Sequence, residues 1–231
     1  METVRTITDR VLTRLEDPSQ RFFSTDDLIG AYNDALDELS EATEIHESSV
    51  VVKRKKWSAY HDLRGYLPPD ALRVTAVWSM GSSEWLHPTT PRELDDTVGR
   101  QWEWKPDSSA RWWWMRGIYF LGAYPVPSND TSPLKVYYAS LIPHADSSVS
   151  LSRGLDSRTS VIPPDFEDAI EHYMMYTLLA QRKETGKSLQ FWQRYKDGES
   201  ALTNTAKNRM RRDRTPHMGA VRSMGHIGTR R

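Results

Sequence analysis

The run Glu184-Thr185-Gly186-Lys187-Ser188 has the residue types of a phosphate-binding loop, in which glycine N–H groups and a lysine cradle a nucleotide. That loop needs a second glycine five positions earlier, and position 181 is Gln. A helical period, not a strand, leads into it, so no nucleotide site is expected. The seven histidines, at 46, 61, 87, 144, 172, 217 and 226, never fall at metal-ligand spacing. Glu167 and Glu171 stand four residues apart, a separation that puts two carboxylates on one helix face, where acid–base work is conceivable only beside a cleft. They read instead as a solvated pair. Thiol catalysis, disulfides and Cys-ligated zinc are excluded by the absence of cysteine. No G-x-S-x-G signature is present, and Asn129-Asp130-Thr131 reads as a turn rather than a glycosylation site. Neither an enzyme nor a cofactor or metal is expected.

Composition bounds the alternatives. The chain has 231 residues, 38% hydrophobic and 27% charged, enough for one large domain or two small ones. No apolar run approaches the roughly 20 residues that span a bilayer, and METVRTITDRVLTRLEDP lacks the apolar centre of a signal peptide. The zero net charge conceals an asymmetry. Residues 207–231 hold eight bases against the single acid Asp213, a net of +7, which leaves 23 bases and 30 acids, a net of −7, elsewhere. An acidic body with a cationic arm suits contact with further copies of the chain, an acidic protein or nucleic acid.

The elements that position these groups follow from period. Val4, Ile7, Val11 and Leu15 line a helix over 3–16 that Asp17-Pro18 closes. Ser24 and Asp27 form an acid variant of the capping box for a helix over 25–42, lined by Leu28, Tyr32, Ala35, Leu36 and Leu39 and acidic on its outer face. Strands are expected at 50–52, 72–78, 100–104, 111–121 and 134–141, with a short helical turn at PRELDD. Two further helices are expected over 164–185 and 188–212, joined by a short turn at Gly186 and packed as a hairpin. Phe166, Ile170, Tyr173, Met174, Thr177 and Leu178 line the first; Phe191, Tyr195, Leu202 and Ala206, with Leu189 and Trp192 beside them, line the second. The fold class is α+β: an antiparallel helical bundle from 1–45 and 160–212, a Trp-rich β-sandwich or barrel-like region inserted at 46–159, and an extended basic arm at 213–231.

Eight of the nine tryptophans lie between Trp57 and Trp114. In a strand through 111–115, Trp112 and Trp114 point to one face and Trp113 to the other. A sheet with one face in water has no use for that arrangement, so both faces must be covered or one must meet another subunit.

The basic segment RMRRDRTPHMGAVRSMGHIGTRR cannot build a core of its own. Its arginines suit phosphates. Its apolar residues Met210, Met218, Val221, Met224 and Ile227 suit a groove on a protein, and they favour that reading. The expected contact residues are Arg209, Arg211, Arg212, Arg214, Met218, Val221, Arg222, Ile227, Arg230 and Arg231.

Four stretches in order, STDDLIGAYNDALDEL, GYLPPDALRVTAVW, GIYFLGAYPVPSNDTSPLKVYYASLIP and VIPPDFEDAIEHYMMYTLLAQRKETGKSLQFWQRY, together resemble the head-to-tail adaptor (head-completion, or connector) proteins of tailed bacteriophages. The resemblance spans residues 22–205 and includes no catalytic signature. It implies a virion structural protein assembled in the host cytoplasm as a ring, a dodecamer, beneath the portal protein. Such a ring extends the channel through which genomic DNA passes without sequence-specific binding, and offers a platform to tail nozzle or tube proteins. No membrane contact is implied. On this reading the cationic arm anchors to the portal. The competing reading is a carbohydrate- or single-stranded nucleic-acid-binding module that stacks its ligand on exposed tryptophans.

Thermal unfolding traces recorded with and without EDTA, ATP or magnesium should superimpose. A midpoint shift of several degrees with any one of them would reveal a ligand site.

Overall fold

The computed structural model describes residues 4–104, 106–107, 109–128, 133–145 and 166–214. Helix α1 (Val4–Arg14) buries Val4, Ile7, Val11 and Leu12, with Leu15 just beyond it. The Asp17 carboxylate then accepts the Arg21 and Phe22 N–H groups at 2.8 and 2.9 Å, which turns the chain into α2 (Thr25–Thr43). Ser24 and Asp27 form the capping box in both directions, and Leu28, Tyr32, Ala35, Leu36 and Leu39 are buried.

The chain next builds β1 (Glu47–Val52), β2 (Tyr60–Asp62), β3 (Ala71–Ser79), β4 (Glu84–Trp85), β5 (His87–Pro88) and α3 (Pro91–Thr97). After them come β6 (Pro106–Asp107), β7 (Trp112–Arg116), β8 (Phe120–Tyr124), β9 (Val126–Pro127) and β10 (Leu134–Ser140). One sheet has the order β1-β10-β3-β4, a second β2-β8-β7-β5, and β6 pairs with β9. Two sequence expectations fail here. Residues 102–104 form a single 3-10 turn, not a strand, because Gly99 adopts φ 93° and its carbonyl accepts the Trp102 N–H. Residues 111–121 are not one strand either. Gly117, at φ 64°, opens the turn that splits them into β7 and β8.

The tryptophan alternation places the second sheet. Trp113, Met115, Leu121 and Ala123 face the first sheet, packing with Val52, Val77, Leu134, Val136 and Tyr138. On the opposite face, Trp112, Trp114 and Tyr124 are covered by Leu94 of α3 and Trp102 of the 3-10 turn. Both faces of this sheet are therefore covered. Trp114 lies directly over its cross-strand partner Gly122, where a Cβ would stand 2.0 Å from the indole Cε2. No side chain fits there without moving the ring.

Helices α4 (Glu167–Gln181) and α5 (Thr185–Arg214) return to the helical core. Phe166, Ile170, Met174 and Leu178 are buried against α1 and α2, while Tyr173 and Thr177 are half-buried. The turn between them differs from expectation. Lys183 takes the left-handed conformation at φ 63°, its N–H donates to the Ala180 carbonyl, and the Glu184 N–H donates to the Leu179 carbonyl. This pair of bonds terminates the helix without glycine. Gly186 sits inside the first turn of α5. The two helices run antiparallel, with Tyr173 against Tyr195 and Tyr176 against Trp192. Leu189 is exposed, since it falls off the buried seam of α5.

Gly122→Val should lower the unfolding free energy by about 2–3 kcal/mol, the range for forcing extra volume into a packed core. Urea unfolding checks this, and tryptophan emission should shift to longer wavelength as Trp114 is displaced. Wild-type stability in the variant would contradict the packing described.

Candidate partner-binding surfaces

The buried seam of α5 consists of Ser188, Tyr195, Leu202 and Ala206. Ala206 is the last buried position among the described side chains of this helix. The helix continues beyond it to Arg214, so Lys207, Arg209, Arg211, Arg212 and Arg214 occupy its final turns, with Asp213 the only acid among them. Cations there complement the negative end of the helix dipole. The helix includes Asp213 and Arg214, two residues more than the period indicated. The other expected contact residues, Met218, Val221, Arg222, Ile227, Arg230 and Arg231, lie outside the described residues, as do Pro163, Pro164 and the Asn129-Asp130-Thr131 turn.

A second surface was not read from the sequence. At the tip of the β7–β8 hairpin, Ile118, Tyr119 and Phe120 are exposed, and the Tyr119 carbonyl accepts the Leu63 N–H at 2.7 Å. That bond brings Arg64 beside the tip, where its guanidinium lies 5.6 Å from the Phe120 ring centre and pairs with Asp62 at 2.5 Å. The only sequence signal was Gly117, a turn residue inside an apolar run.

Among the tryptophans of the β-region, exposure is greatest at Trp57 (60%) and Trp104 (80%). In the single chain the 3-10 turn sends Trp102 inward and Trp104 outward. Trp113 and Trp114 are buried, so the Trp112–Trp114 run offers no stacking platform.

Several ionisable groups tie elements to the helical core. His144 meets Asp37 at 2.8 Å, and the Lys196 ammonium lies 3.2 Å from Glu38 and 2.6 Å from Glu199, tying α5 to α2. Glu171 corrects the solvated-pair reading. It is 1% exposed, faces α1, and is flanked by Arg10 and by Arg14 at 2.9 Å, while Glu167 meets Arg10 at 3.3 Å. Burial raises the Glu171 carboxyl above its usual value, opposed by the charges of the two arginines. Half-buried His172 lies against the Phe191 ring. No cluster of metal-ligating side chains occurs among the described residues, and no described helix is long and apolar enough to cross a membrane.

The model of the SU10 adaptor protein family matches residues 2–223. No curated protein matches the chain.

Substituting both Arg10 and Arg14 by Met should lower stability at pH 7 by on the order of 3 kcal/mol, since Glu171 would remain buried without a cation. A carboxyl whose folded pKa is raised gains protons in the folded state first. The deficit should therefore shrink as the pH falls from 7 through the raised folded pKa of Glu171 toward its unfolded value of 4.5. Chemical denaturation at several pH values tests the sign.

Proposed function

The chain belongs to the SU10 adaptor protein family, bacteriophage structural proteins of the virion, and from that premise we propose that it forms a ring beneath the portal protein. The ring extends the DNA channel and provides the surface on which tail proteins dock. The observation that carries the anchoring part of this reading is the basic end of α5, which continues past the last described buried position of the helix, Ala206. Tyr195 and Leu202 root this helix in the core, so the backbone of its basic end starts from a fixed place. Beyond the helix, residues 215–231, if extended, would reach up to about 56 Å at roughly 3.3 Å each, enough to contact another subunit. The arm's apolar residues then fill niches between charge pairs on the portal.

Ring closure needs two unlike, complementary surfaces on each subunit. The exposed acids of α2, Asp26, Asp34 and Glu41, and the Arg64 and Phe120 hairpin tip supply surfaces of different character. Exposed Trp57 and Trp104 are the observation that favours the competing stacking module.

Truncation after Arg212 should leave the melting midpoint of the body nearly unchanged while weakening co-sedimentation with portal rings at least tenfold. Added salt should weaken binding by the intact protein in part. Equal binding by the truncated and intact proteins would remove the arm as anchor and make nucleic acid its better target.

A further inference from the structure

Arg54, in the segment between β1 and β2, is 1% exposed and is among the largest fully buried side chains. Its Nη2 donates to the Pro125 carbonyl. Its Nε and Nη1 have no acceptor, and no carboxylate pairs with it among the described residues. Neighbouring His61 is 4% exposed. The Lys55 N–H donates to its Nδ1 at 3.5 Å, which assigns the ring proton to Nε2, and Nε2 also lacks an acceptor. Every unsatisfied group in this cluster is therefore a donor. One of the two side chains carries a full positive charge.

Neither side chain removes that charge by itself. Burial lowers the Arg54 guanidinium only to about 10, so it stays protonated at neutral pH. Burial, and then the charge of Arg54, push His61 down to about 4, so the imidazole is neutral and adds a donor without a second charge. A buried charge with no partner is among the most unfavourable features a fold can hold, and a donor left unmade adds to it. A water molecule would satisfy the hydrogen bonds but leave the charge. An anion satisfies both.

We infer that Arg54 and His61 form a buried binding site for a small inorganic anion, of chloride or phosphate size. The bound anion would neutralise Arg54 where the β1–β2 segment crosses the β8–β9 connection, and so fasten that segment to the second sheet. A macromolecular phosphate or a partner's carboxylate is a poor fit, because the guanidinium has almost no exposed surface.

The test is thermal unfolding of the full-length protein at constant ionic strength, with sodium gluconate replaced stepwise by sodium chloride or sodium phosphate. Gluconate is too bulky for an enclosed site. The midpoint should rise by several degrees and saturate with one or both small anions, and Arg54→Met should abolish the rise. Chloride-35 line broadening by the wild-type protein, reversed by phosphate if that binds more tightly, reads occupancy directly. Should Arg54→Met fail to fold, His61→Phe replaces it, with roughly tenfold weaker half-saturation expected from loss of one donor. Equal midpoints in gluconate, chloride and phosphate would overturn the inference. So would an identical anion response in the wild type and the Arg54→Met or His61→Phe variant.

Discussion

The fold depends on one long-range apolar contact. The stripe of α2, Leu28, Leu36 and Leu39, closes only when Phe166, Ile170, Met174 and Leu178 of a much later segment pack with it. An early helical pair cannot bury that surface alone. The β-region between these segments must therefore leave and return at nearly one point. Pairing of Glu47 with Ala139 brings its two ends together, and the exit strap is bonded to α2. The Ile142 N–H donates to the Ser40 hydroxyl, and the Asn33 side chain both accepts from and donates to the Ala145 backbone. A long intervening segment joined at adjacent ends constrains the helical core little.

Within the β-region, size complementarity replaces simple hydrophobic alternation. Trp113 stands opposite Ala123 and Trp114 opposite Gly122, so each bulky ring lies over a strand with little side chain. Trp114 meets Trp102 and Tyr60 edge-on, with ring centres 5.1 and 5.7 Å away. Edge-to-face contacts of this kind favour a defined arrangement over a fluid one. The same covering of both faces leaves the hairpin tip as the place where this sheet exposes aromatic groups.

Charge is organised by distance from the helical core. Where cations lie on the core they are used internally, as Arg10, Arg14 and Lys196 are, each bridging one helix to another. Beyond Ala206, the last buried position among the described side chains, α5 continues as helix to Arg214 and carries five of the cations of the basic segment in sequence.

Sequence alone determined the helices, most of their buried stripes and the opposed directions of Trp113 and Trp114, because period and capping are local properties; that both faces are covered within the chain was left open. The Ser24–Asp27 box and the opposed Trp113 and Trp114 were legible for that reason. The basic end of α5 was legible too, as composition. Tertiary structure decided what depends on partners distant in the chain. Glu171 became a buried ion-pair centre because α1 packs across α4, and Trp104 turned outward because Gly99 admits a left-handed backbone that ends the strand pattern. Lys183, not Gly186, terminates α4, since its backbone hydrogen bonds outweigh the local preference for glycine. Arg54 carried no sequence signal and the hairpin tip none beyond Gly117, because burial and exposure there follow from strand pairings that a linear pattern does not contain.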